Sequence, residues 1–585
     1  MQNNKATPAR LTTTATSKLP RSVLFVAGII YILAGLFFRD PWKTDDVVGL
    51  ATMLNAIYDH DNGVWLHPQI AGLEHAGSGP LSTWLGALFI FLLAPIIGNF
   101  TSPIDAAIIS SRIPNLMWFA ITCSSVWYGT YLLGRRPEPQ PLALPFGGEP
   151  EVKDYGRMIA DAALLLLVAT AGILWRMHET SYIPALIASQ ALCFYAIARI
   201  IDRPVSGSIT LGLALSASFL ANGTLGLLPV VIATIICFCP ASILWQQKKW
   251  LAASLVIAIV ICATWWALAL NSSNWWSQQW VLSQKSSWSW PTLGNTLNTA
   301  RDLPWFLWPT WPFAVMALWQ WRQWLLSPHI LVPFSFFISA LLSLPFIVGA
   351  SEPHYSLLAI PSAILASFAL PTLRRGVVNA LDWFAVMCFT LAIATVWLGW
   401  VALHSGWPPK ISHNITRLIE GYDTEISWVA IFIATAGTAA WLALVRWRLI
   451  HRPLALWRGT VLSAGGLIAT WLLLATLWMP VLDYARSYRT VSAELSKALS
   501  IHKNSNDCIR TLGVGKGQRA SFYAFNGIRF SYNTQCNLIL QQTTVDQVND
   551  GTAFTPSGTT VIWQGKRQPD RHEMFRLLQT TGNNH

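Results

Sequence analysis

Between Arg39 and Pro80 the chain reads RDPWKTDDVVGLATMLNAIYDHDNGVWLHPQIAGLEHAGSGP. This stretch holds six carboxylates (Asp40, Asp45, Asp46, Asp59, Asp61, Glu74) and three histidines (His60, His67, His75) in a protein of which only 11% is charged. A carboxylate within reach of an acceptor hydroxyl serves as a general base, and the pair Asp45-Asp46 sits just beyond an apolar run. Two adjacent side chains do not easily point to one spot. Asp45 is therefore expected as the base, with Asp46 holding Asp45 or a substrate hydroxyl; the structural alternative for Asp45 is a helix-capping residue. His178-Glu179 has two readings, either Glu179 accepting hydroxyls with His178 donating to phosphate, or a polar cap at a span end. Among the bases, Arg39, Lys43, Arg112, Arg176, Lys285 and Arg301 stand near span ends. Arginine is the better bidentate phosphate clamp, and snorkelling to head groups accounts for any single one of them. Glu74, His75 and His354 are weak candidate ligands for a divalent cation such as zinc or manganese. Their spacing fixes no common face, so no cofactor is assigned.

The elements that must position these residues are membrane helices. At 585 residues, 53% hydrophobic and mean hydropathy +0.43, the chain reads as an all-α polytopic membrane protein. Apolar runs begin near residues 21, 80, 113, 158, 182, 206, 224, 250, 303, 329, 356, 380, 427 and 459. The net charge of +12 does not point to nucleic acid, because the positives lie in short clusters between these runs, as the positive-inside rule requires. If 80–98 lies at the interface without crossing, the other runs make thirteen crossings from a cytoplasmic tail at 1–20. That path leaves 19 Lys and Arg inside and 8 in short outer loops. It sets loop 39–79, His178-Glu179, Asn222-Gly223 and Ser351-Glu352-Pro353-His354-Tyr355 on one outer face, with the Trp-rich loop 271–311 as an interfacial belt or the wall of a lipid path.

From residue 480 to 585 the composition turns polar. An amphipathic helix over Tyr484–Leu499, strands at Cys508–Val514, Ile528–Tyr532 and Thr560–Trp563, and a final helix near Arg571–Leu578 are expected, forming a small α/β domain outside the membrane. Gly513-Val-Gly-Lys-Gly517 lacks the spacing of a phosphate loop and reads as a surface turn. Six of the eight cysteines lie in apolar runs; Cys508 and Cys536 do not, and in an oxidising compartment they are the natural disulfide.

The pattern resembles the GT-C superfamily of membrane glycosyltransferases, and within it the lipid A aminoarabinose transferases and protein O-mannosyltransferases. Arg39-Asp40-Pro41-Trp42-Lys43-Thr44-Asp45-Asp46 matches the family's acidic element in the first outer loop, with Asp45 at the catalytic acid and Asp46 where Glu is usual. Gly72-Leu73 and Pro80-Leu81-Ser82-Thr83-Trp84 match the segment that follows, His178-Glu179 the second acidic loop, and Asn222-Gly223 a Lys-Gly turn. Pro353-His354-Tyr355 through Pro361 matches a Lys-Leu-Pro-x-Tyr-x-x-x-Pro element. Three family lysines are missing: Ser78-Gly79, Asn222 and Glu352 stand where they are expected. The resemblance implies a GT-C fold in the bacterial inner membrane, with the C-terminus and active site periplasmic, acting as an inverting transferase. It implies a polyprenyl-monophosphate sugar as donor and lipid A, another glycolipid or glycan, or a protein as acceptor. Arg39, Lys43, His75, His178, Asn222, His354 and Tyr355 are the substrate-binding residues it suggests, beside Asp45, Asp46 and Glu179 for catalysis, in a monomer surrounded by membrane lipids. The competing class is a transporter or flippase of a lipid-linked substrate. Transporters favour internal repeats and mid-span charges, whereas the acids here cluster in an outer loop.

Overall fold

The computed structural model describes residues 7–16, 18–42, 45–59, 64–143, 147–451, 457–503 and 507–580. Among these, nine helices are long and apolar enough to cross a membrane, and Arg21–Leu33 and Leu81–Ile97 are shorter apolar helices. That criterion gives nine qualifying helices, not thirteen crossings. One of the nine, Pro204–Cys237, is a hairpin. Asn222 and Gly223 leave helical geometry, and a Cβ added at Gly226 would stand 2.4 Å from the Ser218 carbonyl oxygen. Eight residues of straight helix span about 12 Å, so the chain reverses at this turn and the two apolar runs read at 206 and 224 lie side by side.

Asp105, just beyond the Leu81–Ile97 helix, and Asp40, well before it, both accept from Arg489, at 2.6 Å and 2.5 Å. The amino-terminal segment is packed rather than trailing. Thr13 N–H donates to Gly148 O (2.8 Å), Leu142 N–H to Ala9 O (3.1 Å), and Ala9, Leu11 and Leu19 are buried.

The carboxy-terminal segment forms a four-stranded mixed sheet. In space, Ile509–Leu512 runs parallel to Leu538–Thr544, which pairs antiparallel with Glu573–Thr580, which pairs in turn with Thr559–Gly565. Two expectations fail here. Residues 571–578 give a strand instead of a helix: this central strand buries Phe575 and Leu577 on one face and Leu578 on the other, and burial on both faces erases the alternation that marks a strand in sequence. Ile528–Tyr532 joins no ladder; Phe530 N–H donates to Ala71 O and Ser531 N–H to Ile509 O, both at 2.9 Å. Cys508 and Cys536 are disulfide-bonded.

This segment does not stand apart from the first loop. Val47, Leu50 and Leu54 of helix Asp45–Tyr58 share one core with Leu495, Phe522, Leu540 and Leu577. Helix 45–58 therefore sits between the membrane bundle and the sheet, held from both sides, with its amino terminus at the junction.

Candidate active site

Helix Asp45–Tyr58 begins on the two carboxylates singled out above, and packing separates them. Asp46 is 3% exposed. Its Oδ2 accepts from Arg39 Nη1 at 2.6 Å and lies 3.6 Å from Arg112 Nη2, and its Oδ1 accepts the Thr180 N–H at 2.6 Å. Burial works against the charge, but Arg39, Arg112 and the Thr180 amide outweigh it and hold this carboxyl below the ordinary range. Gly49 makes the approach to Thr180 feasible, because a Cβ there would fall 1.8 Å from the Thr180 carbonyl oxygen. Arg39 is itself fully enclosed. It donates to Gly35 O and His178 O, and its guanidinium lies against Trp42 (5.4 Å) and Trp175 (4.7 Å).

Asp45, one residue earlier, is half-buried and has no hydrogen bond or ion pair among the described residues. Its charge acts on Glu179, Tyr182 and His354. Glu179 is 4% exposed and accepts from Arg176 Nη1 at 2.8 and 3.1 Å. Burial pushes its carboxyl up to about 8, with Asp46 and Asp45 adding to the rise and Arg176 opposing it. Arg176 reaches across with Nη2 to Glu352 Oε2 at 2.6 Å, while its buried Nε has no hydrogen-bond partner among the described residues. Glu352 opens the helix Glu352–Ala369. There the Ser351 N–H donates to His354 Nδ1 (3.3 Å), which fixes the ring, and among the described residues Nε2 has no partner. Asp45, Glu179, Arg176, Glu352 and His354 therefore converge from three separated segments.

The remaining sequence candidates lie elsewhere. His178 is fully buried, with Nδ1 2.5 Å from Leu174 O and Nε2 3.0 Å from Tyr31 O, which makes it a strut between two helices. Tyr355 is 1% exposed, donates to Ala350 O (3.3 Å) and stands edge-on to Phe306. His75 faces Lys516 and Arg519; burial and those two cations pull its imidazole down to about 3. Lys43 and the Glu74 side chain lie outside the described residues. No group of three or more His, Cys, Asp or Glu among the described residues is arranged to hold a metal ion.

Asn222 sits at the tip of the helical hairpin, 5% exposed, its side chain without a hydrogen bond among the described residues. The turn is braced by Gln284 Oε1, which accepts the Thr224 N–H (2.7 Å) and hydroxyl (2.8 Å). Gly79 docks on the same tip: its N–H donates to Ala221 O (3.1 Å), and a Cβ there would meet the Leu220 carbonyl oxygen at 2.1 Å. The Ser78-Gly79 departure is therefore a tight seam. Beside the hairpin runs an apolar groove of about 550 Å³, lined by Leu228, Ile232, Ile236, Ile338 and Leu342 under Trp288.

No protein-family model and no curated protein matches the sequence. Among solved structures, a crystal structure of ArnT from Cupriavidus metallidurans bound to undecaprenyl phosphate aligns with TM-score 0.62 at 13% identity, over 95% of this chain and 98% of that one. The fold is that of ArnT. The apo form of ArnT gives the same answer, with TM-score 0.60 at 14% identity over 95% and 97%. Coverage of nearly the whole of both chains includes the carboxy-terminal sheet as well as the bundle, so the resemblance read from the Asp45-Asp46 loop extends to the entire ArnT architecture.

Sequence reasoning missed the partners that come from the far end of the chain. Asp483 accepts Trp42 Nε1 (2.6 Å) and the Asp40 N–H, and Arg489 holds Asp40. Nothing in local spacing signals a contact over more than 440 positions.

Proposed function

We propose that the protein is an inverting glycosyltransferase, moving a sugar from a polyprenyl-monophosphate donor to a cell-envelope acceptor: lipid A, another glycolipid or glycan, or a protein. The observation that carries this reading is the Asp45 carboxylate, unpaired among the described residues and set among side chains that are otherwise neutralised, in a fold shared with a protein solved with undecaprenyl phosphate bound. Asp45 takes the proton of the acceptor hydroxyl as its oxygen attacks the anomeric carbon. The bond from that carbon to the phosphate oxygen breaks, and the lipid phosphate leaves. Arg176, with an unpartnered Nε, and His354, with a free Nε2, are the donors that face the leaving phosphate. Glu179 accepts from Arg176 Nη1 and holds that guanidinium in place. The apolar groove beside the Asn222 hairpin suits the isoprenoid tail.

The topology belonging to this reading has thirteen crossings in the bacterial inner membrane, with a cytoplasmic amino terminus and a periplasmic site, in a monomeric protein. The test is direct: purified protein in nanodiscs is given polyprenyl-phosphate sugars and envelope glycolipid acceptors, and release of polyprenyl phosphate is followed together with acceptor mass. Coupled release and mass gain supports the transfer. Neither product across a panel of donors and acceptors, from protein that binds the donor, overturns it.

A further inference from the structure

We propose that Asp483 and Arg489, at the junction between the last membrane helix and the carboxy-terminal sheet, are positioning residues for the Asp45 carboxylate. This rests on the transferase reading above. Among the described residues Asp45 has no side-chain partner that fixes it, so its place is set by the start of its own helix. That start is built on Trp42. The Trp42 carbonyl accepts the Val47 N–H (3.2 Å), and the Trp42 N–H donates to Asp46 Oδ2 (3.3 Å).

The junction grips this segment at several points. Asp483 Oδ1 accepts Trp42 Nε1 at 2.6 Å, and both its oxygens accept the Asp40 N–H, at 3.0 and 2.9 Å. Arg486 lies over the Trp42 ring at 5.1 Å, which also stacks on Trp175 at 4.8 Å. Ser487 donates its hydroxyl to Asp40 Oδ2 at 2.6 Å. Arg489 holds the Asp40 carboxylate through Nε and Nη2 and ties it to Asp105.

Hydrogen bonds to an ionised acceptor are the stronger and more directional kind, and Asp483 makes them to one main-chain and one indole N–H of the same short segment. Ring stacking fixes the plane of Trp42. Its main chain then sets the first turn of helix 45–58. None of these junction residues contacts Asp45, so their effect on transfer passes through geometry, and a misplacement of about 1 Å at a reacting group costs up to about 10²-fold in rate. The carboxy-terminal sheet thereby acquires a role: folded, it presents the junction that holds the catalytic loop.

The experiment uses full-length protein in nanodiscs, comparing wild type with Asp483→Asn and Arg489→Lys. Two quantities are read: the kcat and KM for a polyprenyl-phosphate sugar, and hydrogen exchange of the amides of residues 47–54. The expected result is a kcat lowered about 10- to 100-fold with KM for the donor within about twofold, and faster exchange in the first turn of the helix while helix 352–369 is unchanged. Arg489→Lys, which keeps the charge and loses the fork, should fall between the two. Unaltered kcat and exchange in both variants overturns the proposal, as does a KM change without a kcat change. If Asp483→Asn does not fold, Arg489→Lys alone decides by the same readouts. Should the wild type transfer no sugar, the function reading fails by itself, and the exchange measurement still decides whether the junction positions the helix.

Discussion

Arg176 and Glu352, 176 positions apart, are joined by a 2.6 Å contact between Nη2 and Oε2. Glu179 holds the same guanidinium through Nη1 at 2.8 Å, so one arginine is shared by two acids from separate segments.

Because the Glu352 side chain is 61% exposed, its ion pair adds at most about 1 kcal/mol to stability. Glu352→Gln should therefore leave the melting temperature nearly unchanged. On the proposed function, Arg176→Gln removes a charged donor to the lipid phosphate and should raise KM by about 10- to 100-fold, the equivalent of about 1.5–3 kcal/mol. Thermal unfolding checks the first and donor titrations at fixed acceptor the second; an unaltered KM for Arg176→Gln removes it from the phosphate site.

Asp45→Asn and Asp46→Asn should fail in different ways. The first should fold, bind donor and lose about 10²- to 10⁴-fold in turnover. The second leaves Arg39 and Arg112 buried without their counter-charge and should cost about 3–5 kcal/mol of stability. Thermal unfolding measured beside turnover separates them; equal stability losses in both would place Asp45 in a structural role.

Glu179 gives stability a pH dependence of stated sign. Its carboxyl rises from 4.5 in the unfolded chain to about 8 when folded, so the folded state binds the extra proton between those values. The stabilisation is fully present below about pH 4.5 and lost as pH rises through about 8. Glu179→Gln, which cannot titrate, should therefore gain on the wild type as pH rises across that window. A melting-temperature difference that stays constant with pH would mean that Glu179 ionises at an ordinary value.

Single cysteines at Ser102 and Gly148 test the membrane path. Ser102 caps the helix whose Asp105 binds Arg489 beside Asp40, whereas Gly148 accepts from the amino-terminal segment at Thr13. An impermeant thiol reagent added to cells stripped of any outer barrier should label Ser102→Cys and spare Gly148→Cys. The reverse pattern would put the whole Asp45 cluster on the cytoplasmic side.

The sequence by itself determined the features that depend on local composition. Runs of apolar residues have to leave water, and clusters such as Arg135-Arg136 and Lys248-Lys249 have to stay in it; together they marked the membrane class. The Asp45-Asp46 pair stood out because charge is rare elsewhere, and Asn222-Gly223 because it interrupts an apolar run. The tertiary structure alone decided which of the two aspartates is free, since that depends on Arg39, Arg112 and the Thr180 N–H arriving around Asp46 from separate segments. It also decided that His178 and Tyr355 brace helices, that residues 573–580 form a strand buried on both faces, and that Asp483 and Arg489 close on Trp42 and Asp40. Hydropathy and spacing report the neighbours of a residue along the chain. A buried charge is settled by whichever partners the fold brings within about 3 Å, however distant they are in sequence.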